Sequence, residues 1–231
     1  MGALEISAML RIFLFVLWWN AAGVAYAAAS IMVFGDSLSA GYGLPQGAGW
    51  VDLLQQRLAR EKYDYKVINA SLTGETTVSG KNRLGGALTR HKPEIVILEL
   101  GGNDGLRGAG IDTIRANLTA MIAACRRREA RVLLVGMQLP PNYGSTYVEK
   151  FRSMYGSVAK SQRVTLVPSL LEGFAADRGA FQPDGIHPNA AAQPRMLDTV
   201  WKQLQPLLRK RFPPAIPRFS TPGNPLPGGA P

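Results

Sequence analysis

Five short apolar, β-branched runs alternate strictly with amphipathic stretches along this chain, and that alternation narrows the possible folds more than any other feature. The runs lie at Ile31–Phe34, Lys66–Asn69, Glu94–Leu100, Arg131–Gly136 and Val164–Val167. Most are apolar on both faces, as strands of a buried parallel sheet are; a strand with one wet face would alternate apolar and polar residues. Between them, Trp50–Arg60, roughly Val78–Arg90, Ile111–Arg128 and Tyr147–Ser161 carry apolar residues at helical spacing. A last helix is expected over Ala190–Leu208, with Leu197, Val200, Trp201, Leu204 and Leu208 on one face. Strand and helix in turn predict an α/β fold, a doubly wound sandwich with a five-stranded parallel sheet flanked by helices. At 231 residues and 46% hydrophobic content, the chain can bury one such domain. It contains no internal repeat.

Both ends fall outside this pattern. Arg11 precedes the apolar run Ile12–Trp19, and small residues follow through Ala29, which is the layout of a secretory signal over residues 1–29. The apolar run is too short to favour a membrane span. Small residues three before and one before the cut allow cleavage after Ala27 or Ala29. An uncleaved anchor is the alternative. From Pro213 to Pro231 the chain holds seven of its sixteen prolines, so residues 212–231 read as a disordered Pro/Gly-rich tail and 30–211 as the folded domain. The expected location is periplasmic or secreted.

The formal charge is +10, and it is unchanged when residues 1–29 are removed because they carry one acid, Glu5, and one base, Arg11. An exported protein of this charge is drawn to anionic substrates or lipid surfaces. Part of the charge is read as helix-end cations, Arg126–Arg128 and Arg209–Arg211, which suit the helix dipole. Aromatic residues do not interleave with these clusters, so nucleic acid is not an expected partner. The single cysteine, Cys125, excludes an internal disulfide and falls on the apolar face of the Ile111–Arg128 helix, which makes it a core residue.

In a doubly wound sheet, residues just past the strands gather on the carboxyl rim. Ser37 follows the first strand, Gly74 the second and Asn103 the third, and the loop holding Asp184 and His187 leads to the same rim. A serine hydroxyl becomes nucleophilic when an imidazole takes its proton, and the imidazole needs an acceptor that fixes its tautomer. Only two histidines are available, His91 and His187. His91 lies in Thr89-Arg90-His91-Lys92-Pro93, a basic connection read as an exposed loop, which leaves His187 as the candidate base. Asp184, three residues before it, can reach the ring, although the Asp184-Gly185 pair also reads as a plain turn. Asp36, adjacent to Ser37, is read as a local turn cap because neighbouring side chains diverge. Gly74 and Asn103 can offer N–H donors to an oxyanion, or can belong to ordinary glycine turns. Leu106, Leu139, Pro140 and Tyr143 follow strand exits and could either line an acyl groove or anchor their loops on the core. Glu99, a carboxylate in an apolar strand, is expected to support the Asn103 loop.

Four blocks in order, Gly35-Asp36-Ser37-Leu38-Ser39, Gly74, Gly101-Gly102-Asn103-Asp104 and Asp184-Gly185-Ile186-His187-Pro188, resemble those of the GDSL or SGNH hydrolases. The strings ELGGNDGLR from Glu99, LPPNYG from Leu139 and DGIHPN from Asp184 resemble its bacterial periplasmic thioesterase, lysophospholipase and arylesterase branch. The resemblance spans about residues 31–208. It implies a flavodoxin-like strand order, Ser37 as nucleophile, His187 as base and Asp184 as orienting acid, with Ser37 N–H, Gly74 N–H and Asn103 as the oxyanion hole. It also implies a mobile loop over the acyl site around Thr76–Gly86, where the apolar pattern gives a helix. The implied substrates are small acyl esters and thioesters, including aryl esters and lysophospholipids, with no metal or organic cofactor; separately from the resemblance, a monomer is expected. A carbohydrate O-acetylesterase and a non-catalytic exported lipid-binding protein are the alternatives on the same fold.

Overall fold

The structure, a computed structural model, describes residues 29–210. Residues 1–28 of the expected 1–29 secretory segment, residue 211 and the whole of the expected 212–231 tail lie outside the described residues. Five strands form one sheet: β1 (Ala29–Gly35), β2 (Tyr65–Asn69), β3 (Ile95–Glu99), β4 (Arg131–Val135) and β5 (Thr165–Val167). Their order is β2-β1-β3-β4-β5 and every pairing is parallel. This is the flavodoxin-like order, in which the crevice lies where the connections from β1 and β3 diverge. All seven residues of β1 and all five of β3 are buried, which is why neither shows polar alternation.

Among the described residues seven α-helices accompany the sheet: α1 (Ser37–Ala40), α2 (Trp50–Arg60), α3 (Thr77–His91), α4 (Gly102–Leu106), α5 (Ile111–Arg126), α6 (Ser145–Gln162) and α7 (Gln193–Leu204). Helices α2 and α7 pack together, while α3, α5 and α6 form a second row. The core between these layers is built from residues such as Phe34, Leu54, Ile97, Leu118, Phe151 and Val200, each fully or almost fully buried. Among the described residues no helix is long and apolar enough to cross a membrane.

Some elements depart from the sequence reading, and one follows the apolar pattern against the loop that the resemblance implied. The expected last helix is split into a 3₁₀ turn at Ala190–Ala192, α7, and a second 3₁₀ turn at Gln205–Leu207. Pro194 is tolerated in the first turn of α7, but Pro206 has no N–H to continue the ladder, so Leu208 lies beyond the helical face. The Thr76–Gly86 segment is helix from Thr77 onward, locked by a reciprocal Thr76/Ser79 capping box. His91 is the last residue of α3 and half-buried, rather than part of an exposed loop. Because α3 runs antiparallel to the strands, its end lies about 20 Å from the carboxyl rim at 1.5 Å per residue. Arg126 does end α5, whereas Arg209 and Lys210 follow the second 3₁₀ turn.

Candidate active site

The chain leaves β1 at Gly35 and turns at once into α1, with Ser37 as its first residue. Asp36 caps this four-residue helix, its Oδ1 accepting the Leu38 N–H at 3.0 Å. The local-cap reading of Asp36 therefore describes one half of what its carboxylate does. Serine 37 is mostly buried, with its hydroxyl 2.9 Å from His187 Nε2.

His187 arrives on a tight loop 150 residues later. Gly185 takes a left-handed φ of 68°, which folds the loop so that Asp184 faces the imidazole three residues on. Asp184 Oδ2 lies 2.7 Å from His187 Nδ1, while Oδ1 accepts the N–H groups of Ile186 at 2.9 Å and His187 at 3.0 Å. The His187 N–H, followed by that of Ile186 and the imidazole itself, holds the Asp184 carboxyl down at about 2. An ionised Asp184 requires the proton on Nδ1, which leaves Nε2 bare to accept from the serine hydroxyl. The turn reading and the acid reading of Asp184-Gly185 are thus the same structure.

The two donor candidates reach the same rim. Gly74 follows β2 with a φ of 77°, a conformation that suits glycine. Asn103 sits in the first turn of α4, half-buried, and its Nδ2 donates to Asp36 Oδ2 at 3.1 Å and to the Glu75 carbonyl at 3.0 Å. Glu75 is buried and is fixed by an ion pair with Arg83. The next acid, Asp104, anchors the start of α3 by accepting the Thr77 N–H at 2.8 Å and its hydroxyl at 2.6 Å.

Glu99 supports a different segment from the one expected. The β1–β3 register sets it opposite Gly35, and its Oε2 accepts the Ser39 hydroxyl at 2.7 Å and the Asp36 N–H at 3.2 Å. It therefore braces the Ser37 turn rather than the Asn103 loop. A Cβ at Gly35 would collide with this carboxyl, which explains a glycine at the end of β1. Burial raises Glu99 well above the usual carboxylate range, and the neighbouring charge of Asp36 adds to it. Burial also lifts Asp36 to about 6, opposed by the Leu38 N–H, His187 and Asn103. Of the two carboxyls, Glu99 is the one that burial pushes more strongly toward holding its proton.

The four groove candidates divide. Leu139 is buried, and a Cβ at Gly105 would strike it and Phe151, so it anchors its loop on the core. Leu106 and Tyr143 are half-buried and Pro140 is exposed. The shallow depression beside the serine and histidine is lined instead by Leu38, Tyr42, Leu44, Pro188 and Gln193. The Tyr42 ring lies 4.6 Å from that of His187. Gln193 accepts the Trp50 N–H and donates to the carbonyls of Pro188 and Asn189, tying α2 to the histidine loop. Neither was singled out from sequence: Tyr42 lies in a polar glycine-rich loop and Gln193 in a helix face otherwise read as apolar. Cys125 is buried in α5 with its thiol pushed up to about 12, as befits a core residue. Among the described residues, no cluster of three or more His, Cys, Asp or Glu could hold a metal ion.

The chain is similar to known proteins in sequence and in fold. The chain is 52% identical over 182 residues to the esterase TesA of Pseudomonas aeruginosa, which covers 79% of this chain and 90% of that protein. It is 40% identical over 197 residues to thioesterase 1/protease 1/lysophospholipase L1 of Escherichia coli K12, covering 85% of this chain and 91% of the relative. A crystal structure of TesA superposes with a TM-score of 0.76 at 51% identity, over 78% of this chain and 99% of the other. The family model described as GDSL-like Lipase/Acylhydrolase matches residues 33–194, a span that runs from β1 through Ser37, Asn103 and His187 into α7. With both its sequence and its fold matched over most of their length, the chain belongs to the GDSL-like lipase/acylhydrolase family.

Proposed function

We propose that the ester and thioester hydrolysis of this family runs here through an acyl-enzyme on Ser37. The observation that carries the reading is the Ser37–His187–Asp184 relay at 2.9 and 2.7 Å. His187 Nε2 takes the proton as Ser37 Oγ attacks the acyl carbonyl, and Asp184 stabilises the imidazolium that forms. The Ser37 and Gly74 N–H groups receive the oxyanion together with the Asn103 amide, which exchanges its bond to the Glu75 carbonyl for one to the oxyanion while its second N–H stays on Asp36. On collapse the acyl–oxygen or acyl–sulfur bond breaks, and the leaving alcohol or thiol takes the proton from His187. Water then repeats the sequence on the acyl-serine, releasing the carboxylic acid and restoring the hydroxyl.

The substrates we assign are aryl esters, acyl thioesters and lysophospholipids, met at anionic lipid surfaces to which a +10 chain is drawn. All five site residues come from one chain, so a monomer suffices. Rates on matched oxygen esters and thioesters of increasing acyl length test the assignment. Turnover should persist or rise beyond the shortest acyl groups. Activity confined to acetyl esters would favour the O-acetylesterase reading, and binding without turnover would favour a lipid carrier.

We place the enzyme outside the cytoplasm, after removal of its N-terminal segment. Of the two cuts, the one after Ala27 fits the fold better, because Ala29 already pairs with Tyr65 in β1 and is buried. A cut after Ala29 would put a charged amino terminus on Ser30, itself 9% exposed, at a cost that a chain starting at Ala28 avoids. N-terminal sequencing of the exported protein should begin at Ala28; a start at Ser30 would contradict this.

A further inference from the structure

Four large hydrophobic side chains stand about half exposed among the described residues: Tyr42 at 49%, Leu72 at 51%, Val78 at 48% and Ile186 at 52%. Their positions are not scattered. Tyr42 packs on the His187 ring, and Ile186 is the chain neighbour of His187. Leu72 lies in the segment leading to Gly74, with its N–H bonded to the Gly35 carbonyl at 3.0 Å. Val78 is in the first turn of α3, next to Thr77, which is held by Asp104 beside Asn103. Each of the four therefore borders a segment that carries a site residue, and together they ring the carboxyl rim. Exposed apolar side chains gathered on one face mark an interaction surface, whereas the same residues spread singly would need no explanation.

Two exposed cations stand beside this ring, with Asp184 the exposed acid near Ile186. Lys81 lies one turn beyond Val78 on the same face of α3, and Arg107 follows α4, with its N–H bonded to the Asn103 carbonyl; both side chains are exposed. The nearby acids are engaged: Glu75 with Arg83, Asp104 with Thr77, and Asp184 with His187. Apolar side chains flanked by unopposed cations suit a surface that is apolar within and anionic at its face, which describes an anionic phospholipid layer.

We propose that this rim docks the enzyme on an anionic phospholipid surface. Leu72, Val78 and Ile186 enter the boundary between headgroups and acyl chains, and Lys81 and Arg107 meet the lipid phosphates. The mouth beside Ser37 then faces the layer from which a lipid ester would be drawn. The inference rests on the ester-hydrolase reading and deepens it by naming the surface that meets the lipid.

The test uses vesicles of non-hydrolysable diether phosphatidylglycerol or diether phosphatidylcholine, so that binding is measured apart from turnover. Wild-type enzyme should cosediment with the phosphatidylglycerol vesicles and much less with phosphatidylcholine, and the binding should weaken with added salt. The Leu72→Ser/Val78→Ser and Lys81→Gln/Arg107→Gln variants should each bind about tenfold more weakly. Both should hydrolyse a short, water-soluble aryl ester within about twofold of wild type, because neither pair belongs to the catalytic machinery. Wild-type protein that ignores both vesicles, or variants that bind as well as wild type, would overturn the proposal. So would a parallel loss of soluble-ester hydrolysis, which would assign the residues to the acyl cleft. Failure of wild-type enzyme on the soluble ester would instead refute the hydrolase reading itself.

Discussion

Replacement of Ser37 by alanine should lower kcat on a soluble aryl ester by about 10⁵- to 10⁶-fold, with little change in KM. The scale follows from serine hydrolases in which removing the nucleophile alone costs nearly as much as removing the whole relay. The geometry gives the reason: with Oγ gone, His187 Nε2 has no hydroxyl at 2.9 Å from which to take a proton. What remains is water acting next to an oxyanion hole, without an acyl-enzyme. His187→Ala should fall into the same range, since the relay acts as a unit. His91→Ala is the matched control, and its activity should stay near wild type because that residue ends α3 on the far side of the sheet. Intact-mass measurement after exposure to a serine-directed phosphonate should show one adduct on wild type and none on Ser37→Ala. Substantial turnover by Ser37→Ala, free of wild-type carry-over, would remove the serine from the mechanism.

The sheet was legible because its strands are buried on both faces and thus announce themselves as unbroken apolar runs, as Ile95–Glu99 does. Strand ends then placed Ser37, Gly74 and Asn103 on one rim, and the scarcity of histidine pointed to His187. The two helices that present Ser37 and Asn103 were not legible. Four and five residues long and rich in glycine and serine, they are too short for any helical period to show. The split of the last helix could be read from Pro206, whose missing N–H outweighs the apolar spacing that continues to Leu208. Harder to foresee was the role of Glu99. Its partners, Asp36 N–H and Ser39, are 60 or more residues away and become neighbours only through the β1–β3 register. For the same reason the depression beside Ser37 draws on Tyr42 and Gln193, from opposite ends of the domain, rather than on Leu106, Leu139, Pro140 and Tyr143, which follow the strands.

Truncation of Asn103 to alanine should reduce kcat by about 10²- to 10³-fold with KM largely retained, the loss expected when one oxyanion donor is removed. The structure adds that this donor is held in place. Its two Nδ2 hydrogens go to the Glu75 carbonyl and Asp36 Oδ2; the first is released to the oxyanion while the second stays, which makes Asp36 a positioning residue for the oxyanion hole. Asp36→Asn keeps an oxygen for the Leu38 N–H but turns an amide donor toward the Asn103 amide, so the two repel. That variant should lose about 10- to 100-fold in kcat. Combined with Asn103→Ala it should cost little more than Asn103→Ala alone, because both act on the same donor. A readout independent of rate separates the two residues. Asp36 has a folded-state pKa of about 6, above its ordinary carboxylate value of 3.8. The folded protein therefore keeps a proton that the unfolded chain has already lost. The stability contributed by this group is full below the ordinary value and is lost as pH rises through about 6. Chemical denaturation across that window should show the decline in wild type and in Asn103→Ala, and a flatter profile in Asp36→Asn. Additive rate effects in the double variant would show that Asp36 acts on the serine turn alone. An unchanged stability profile in Asp36→Asn would place its proton on Glu99 instead, the other carboxyl buried beneath the same turn.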